Sequence, residues 1–296
     1  MKKNRSVYQI RLIVLLWASV VISWGCAAKV QKTDVPKATQ NTRINAAVQK
    51  MHEGKFSEGI YNLTDVLSEN SENAAALYNR GYGYQRTKMY LKAISDYTSA
   101  LENTPGMLAA ASNRGGALYG NNQKEEARQE WEQLVSLHPD FAPAYYNLGL
   151  YYVEKRQYDR AVVEFSKAVT HDPFLADAYV NRGNAYIALG ETEKAVMDFT
   201  RALGLTRTDA DLYFNRGIAH EESNSYDEAI SDYTTAVEIN PDFAAAYHNR
   251  GLLYRRLGGK SLGCVDLSQA CSLGLCARYK QLQKMGECPA NSAGND

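Results

Sequence analysis

Seven asparagines recur at an unbroken interval of 34 residues: Asn45, Asn79, Asn113, Asn147, Asn181, Asn215 and Asn249. A primary amide carries two N–H donors and a carbonyl oxygen with two lone pairs, the complement of an extended peptide backbone. Repeated once per unit, that chemistry is hydrogen bonding to a chain, not bond making. The cysteines are a second candidate. Cys264, Cys271, Cys276 and Cys288 crowd the C-terminal end, while Cys26 stands alone near the start. The histidines (His52, His138, His171, His220, His248) are scattered over different units, and no Gly-rich phosphate loop, GxSxG or HExxH is present. The residues therefore assemble no catalytic constellation, and the sequence predicts a non-enzymatic protein with no cofactor and no metal.

The elements that would position these residues follow from the interval. A fixed period of this size means stacked units, each too small to bury its own apolar face. Copies begin at residues 40, 74, 108, 142, 176, 210 and 244. Counting within a copy, Gly fills the eighth position (Gly81, Gly115, Gly149, Gly183, Gly217, Gly251) and Ala the twentieth (Ala93, Ala127, Ala161, Ala195, Ala229). Tyr is frequent at the fourth and eleventh, and Pro105, Pro139, Pro173 and Pro241 hold the thirty-second. On helices, positions 4, 8 and 11 form one stripe and positions 20, 24 and 27 a second. The Pro ends the second helix, because it cannot extend the hydrogen-bond ladder.

This pattern resembles the tetratricopeptide repeat, a helix–turn–helix unit of 34 residues. The resemblance implies an all-α fold: a right-handed superhelical solenoid of about seven repeats over residues 40–277, with a C-terminal capping helix and tail in 278–296. It further implies that the first helices line the concave side. The sixth position points away from the stripe at position 4, so Asn79, Asn113, Asn147, Asn181, Asn215 and Asn249 are expected to run along one groove as peptide-binding residues. The alternative is that Asn merely ties helices together. Tyr146, Phe214 and His248 at the fifth position and Tyr82, Leu150, Ile218 and Leu252 at the ninth would flank the amides. Basic residues near this face are few (Arg86, Arg255, Arg256). The Lys and Arg clamp with which chaperone-binding members of the family hold a C-terminal carboxylate is not reproduced, which disfavours acidic tails. A second ladder, Arg80, Arg114, Arg182, Arg216 and Arg250 at the seventh position, matches acids at the twenty-third: Asp96, Glu130, Asp198, Asp232 and Asp266. These are expected to pair within each copy. The fourth copy breaks the pattern with Leu148 against Glu164.

In the last copy, helices at about Ser261–Leu273 and Ala277–Met285 would run antiparallel around a turn near Gly274. That arrangement brings Cys271 to Cys276 and Cys264 to Cys288, a nested pattern among three possible connectivities. A zinc site is the alternative, but the cluster has no CxxC spacing and no nearby His.

Residues 1–25 read as an export signal: a basic start (Lys2, Lys3, Arg5, Arg11), then an apolar run from Leu12 to Ile22, too short for a stable membrane anchor. The run Gly25–Cys26–Ala27–Ala28 resembles the bacterial lipoprotein signal, in which the Cys becomes the lipidated first residue. Cleavage after Ala28, or an uncleaved anchor, is the alternative. Residues 26–39 would then be the lipidated Cys and a linker. Ala27 after Cys26 implies the outer membrane. The whole chain balances 33 basic against 33 acidic residues, and without the signal 29 basic residues remain, a mildly acidic chain that argues against nucleic acid. Taken together, the sequence predicts a lipid-anchored envelope scaffold binding proteins or extended peptides, similar in plan to tetratricopeptide lipoproteins of Gram-negative bacteria. A carbohydrate- or peptidoglycan-binding module is the alternative. Nothing in the sequence indicates an oligomeric state.

Overall fold

The computed structural model describes residues 37–206 and 208–289. The signal and Cys26 lie outside the described residues. Among the described residues all regular structure is helical. The hairpins are α1 (Lys37–His52) and α2 (Phe56–Glu69), α3 (Ala74–Arg86) and α4 (Tyr90–Asn103), α5 (Leu108–Gly120) and α6 (Lys124–Leu137), and α7 (Ala142–Glu154) and α8 (Tyr158–His171). They continue as α9 (Ala176–Ala188) and α10 (Thr192–Leu205), α11 (Ala210–Glu222) and α12 (Tyr226–Ile239), and α13 (Ala244–Arg256) and α14 (Lys260–Ser272), closed by α15 (Ala277–Lys284). The element order repeats in register with the 34-residue interval, as a helix–turn–helix superhelix must. One boundary differs from expectation: α1 begins at Lys37, inside the segment read as linker.

Each of the five middle hairpins closes on one contact. Position 24 carries Tyr97, Trp131, Phe165, Phe199 or Tyr233, all essentially inaccessible. The ring lies against the glycine at position 8. A Cβ on Gly81 would stand 2.9 Å from the Tyr97 ring, one on Gly115 2.4 Å from Trp131, and one on Gly149 2.4 Å from Phe165. The glycine is thus a socket for an aromatic ring, which offsets its cost of about 1 kcal/mol in helix propensity. On the second helix the expected stripe is fully buried (Ala93, Tyr97, Ala100; Ala195, Phe199, Ala202). On the first helix the sealed positions are 3, 8 and 10 (Ala110, Gly115, Ala117; Ala178, Gly183, Ala185), whereas the rings at position 11 are only half-buried. Those rings flank the position-7 arginines, with Arg182 5.9 Å from the Tyr186 ring centre and Arg250 6.0 Å from Tyr254.

The turn inside every hairpin uses one left-handed residue at position 15: Gly54, Lys88, Asn122, Arg156, Gly190, Asn224 and Gly258 all have positive φ. That conformation ends the first helix and reverses the chain. Asparagine and glycine tolerate it; Lys88 and Arg156 hold it at a cost.

The last copy is finished by α15. Tyr279 and Leu282 pack on Leu267 together with Cys264 and Cys288. Disulfides join Cys264 to Cys288 and Cys271 to Cys276, the nested pattern. Arg255, expected near the concave face, instead turns to this cap. It pairs with the Glu287 carboxylate, and its Nη1 lies 3.3 Å from the Cys264 sulfur. The physical reason is local: Glu287 sits beside the buried bridge, and a guanidinium satisfies both the carboxylate and the Glu287 carbonyl oxygen at 3.4 Å.

Candidate functional site

Consecutive first helices touch one another, α1 to α3, α3 to α5, α5 to α7, α7 to α9 and α9 to α11, and no pair of consecutive second helices packs as closely. The first helices therefore form the inner side of the curve. The contact between them runs through positions 5 and 6. Asn113 Nδ2 donates to the Tyr78 hydroxyl at 3.2 Å, Asn147 Nδ2 to Ser112 Oγ at 3.1 Å, and Asn181 Nδ2 to the Tyr146 hydroxyl at 3.3 Å. The amide of one copy thus grips the hydroxyl at position 5 of the copy before it.

The six asparagines split by that rule. Where the preceding copy offers a hydroxyl, the amide is tied to it. Where position 5 is apolar (Ile44, Val180, Phe214), no such bond forms. Asn79 turns back to the Ala75 carbonyl oxygen of its own helix at 2.8 Å, and Asn249 lies beside the Tyr233 hydroxyl. Asn215 makes no side-chain hydrogen bond among the described residues. All six are half-buried. Position 6 therefore serves the scaffold at Asn113, Asn147 and Asn181. Asn181 Nδ2 also donates to the Asp177 carbonyl oxygen at 2.8 Å.

Positions 2, 9 and 13 share this face, three or four residues away along each helix. They bring Tyr82, Leu150, Ile218 and Leu252 beside the amides, half-buried. Phe214 tilts against Phe243 with ring centres 4.8 Å apart and against Tyr233 at 5.7 Å, so its ring is held rather than free. Arg86 is also engaged, 4.9 Å from the Phe56 ring centre and donating to the Tyr82 hydroxyl at 2.7 Å. Burial pushes the Tyr146 phenol above its ordinary value, and the nearby Asp177 carboxylate adds to the shift. His248 is held below the ordinary histidine value, first by burial and then by Arg278 of α15. A hollow of about 1170 Å³ lies at the cap, against Val265, Gln269 and Tyr279.

The arginine ladder belongs to the scaffold. Arg80, Arg182, Arg216 and Arg250 each hold the position-23 aspartate of their own copy with two bonds, at 2.7–2.9 Å. Arg114 holds Glu130 at 2.7 Å. The same arginine also reaches the copy before it, through Thr64, Thr98, Ser166, Thr200 or Thr234 at position 25. That second contact was legible only as a run of hydroxyls every 34 residues. At the fourth copy both halves are missing: Leu148 replaces the arginine, and Glu132, which replaces the hydroxyl, pairs with Arg128. Glu164 pairs instead with Lys167 at 2.9 Å. Among the described residues no group of His, Cys, Asp and Glu has the arrangement of a metal site. None of their helices is long and apolar enough to cross a membrane.

The sequence matches the tetratricopeptide repeat over residues 82–145 and 112–176, and the TPR repeat over residues 183–224 and 221–258. These spans together take in more than half of the chain. The chain belongs to the tetratricopeptide repeat family. Solved structures agree on the fold. The C-terminal part of a TPR repeat-containing protein from Cytophaga hutchinsonii superposes with a TM-score of 0.62 at 16% identity, covering 83% of this chain and 100% of that one. PilW, a type IV pilus biogenesis factor, gives 0.60 at 18% identity over 69% of this chain and 94% of its own. A tetratricopeptide repeat protein from Parabacteroides merdae gives 0.54 at 20% identity over 84% and 98%. No curated protein matches the chain in sequence. Tetratricopeptide repeat proteins generally mediate protein–protein or peptide binding.

Proposed function

We propose that this tetratricopeptide repeat protein is a non-enzymatic scaffold of the cell envelope. It would hold extended peptide segments, or segments of partner proteins, along the inner face of its first helices. The observation that carries the reading is the surroundings of Asn215: an amide with no side-chain partner among the described residues, set between Phe214 and Ile218 on the inner side of the curve. An amide flanked by apolar side chains suits a backbone whose own side chains alternate outward to those flanks. The envelope assignment rests on the sequence alone: the basic and apolar start of the chain and Cys26 as the lipidated residue, with outer-membrane retention following from Ala27. Two disulfides in one small cap accord with an oxidising compartment.

The test is photo-crosslinking in the native envelope from a photoreactive residue at position 215, compared with one at position 197 on the outer side, where Met197 is 71% exposed. The reading expects a discrete adduct from 215 and none from 197. Adducts from 197 alone would move the binding surface to the second helices.

A further inference from the structure

We propose that the inner face of copies four to six is selective for an extended segment in which basic residues recur between apolar ones. The inference rests on the groove reading above and adds the chemistry of the occupant. Positions 2, 5, 6, 9, 12 and 13 of α7, α9 and α11 contain no Lys or Arg. They do contain Asp177 and Asp211 at position 2 and Glu222 at position 13, all exposed. None of these three carboxylates has an ion-pair partner among the described residues. Two other acids of the face are already occupied. Glu154 pairs with Lys124, and Glu221 accepts from the Tyr233 hydroxyl at 2.9 Å. Asp177, Asp211 and Glu222 are therefore the carboxylates of this face with neither an ion pair nor a side-chain hydrogen bond among the described residues.

This charge lies on an apolar floor of Tyr146, Leu150, Val180, Phe214 and Ile218, all half-buried or buried. The same positions in copies two and three carry no acid, and Arg86 and Arg256 stand exposed at the two ends. A segment with free carboxylates would meet repulsion in the middle. A purely apolar segment would leave three charges facing low-dielectric material, at an electrostatic cost. Lysine or arginine between apolar side chains satisfies both features. Packed helices stand about 8–10 Å apart and an extended chain advances about 3.3 Å per residue. One copy therefore spans about three residues, and basic residues should recur at about that spacing.

The test uses the whole chain and fluorescein-labelled synthetic peptides of about twelve residues, four copies' worth at that advance. Each peptide has Leu and Val in common, with Lys, Gln or Glu at every third place. By anisotropy the Lys peptide should bind about tenfold or more tighter than the Glu peptide, with the gap shrinking as salt rises. Combining Asp177→Asn, Asp211→Asn and Glu222→Gln should bring the three peptides to within about twofold of one another. The matched change on a second helix, Asp227→Asn with Glu228→Gln and Glu238→Gln, should leave the preference intact and so controls for net charge. Equal binding of all three peptides to the unaltered chain, or a preference that survives the inner substitutions, would overturn the charge inference and leave the groove reading standing. Binding of none of them, or binding indifferent to Phe214→Ala, would overturn the groove reading itself.

Discussion

At the scale of single residues, two ladders of similar regularity have different duties. The arginines at position 7 are structural: each holds an acid in its own copy and reaches a hydroxyl in the copy before, and Arg182 and Arg250 each lie between two tyrosine rings. The aspartates are nearly inaccessible, with Asp198 at 5% and Asp232 at 5% exposure. Removing one arginine leaves a buried carboxylate without its partner, which costs more than the pair contributes. Arg182→Ala should therefore lower stability by about 3 kcal/mol, read as a fall in the thermal midpoint, while peptide affinity stays unchanged. A normal melt with lost binding would move this ladder to the ligand. The intracopy pairing was legible in sequence, because a separation of 16 residues recurs with the right charges at both ends. The asparagine ladder was legible only as a pattern. Which amides are tied depends on the residue at position 5 of the preceding copy, and that neighbour is set by the stacking geometry.

At the scale of the helix and its turn, the sequence disclosed the periods and blurred the caps. The glycine at position 8 was readable as a close approach, and the structure supplies its partner, the ring at position 24. The tyrosines at position 11 looked like core because they share a helical stripe with that glycine. They are half-exposed because their rings also lie over arginine heads, while Tyr84, Tyr152 and Tyr186 pack at the margin of the apolar core. Arg255 looked like a groove residue by position and is a cap residue by contact, since the acid that captures it lies 32 residues further on. The left-handed turn at position 15 could have been found from Gly54, Gly190 and Gly258, but Lys88 and Arg156 obscure it. These two residues bear a steric cost of about 1–2 kcal/mol that glycine does not. Part of that gain is lost to the greater freedom of glycine in the unfolded chain. Lys88→Gly should stabilise by about 0.5–1 kcal/mol in chemical unfolding. Destabilisation would mean that the lysine side chain does more at this turn than its backbone costs.

At the scale of the whole solenoid, stability is a sum of hairpins and of the joints between them. Two of the six joints, between the second and third copies and between the fourth and fifth, combine apolar packing with two polar ties, one from the arginine and one from the asparagine. The joint between the third and fourth copies lacks the arginine tie at both ends and is held by Trp131, Leu134, Ala144, Leu148 and Tyr151, with the Asn147–Ser112 bond across the inner side. The inner face thus continues across the joint even where the outer brace is interrupted, and the unpaired carboxylates lie beyond it, in copies five and six. The repeat interval foretold such a stack; the placement of free charge and free amide on one side of it required the coordinates.

The most direct test of that placement is amide hydrogen exchange on the whole chain, free and saturated with the lysine-bearing peptide. The account predicts slower exchange along α7, α9 and α11 on binding, with α8, α10 and α12 unchanged. Protection concentrated on the second helices, or spread evenly over both, would contradict it.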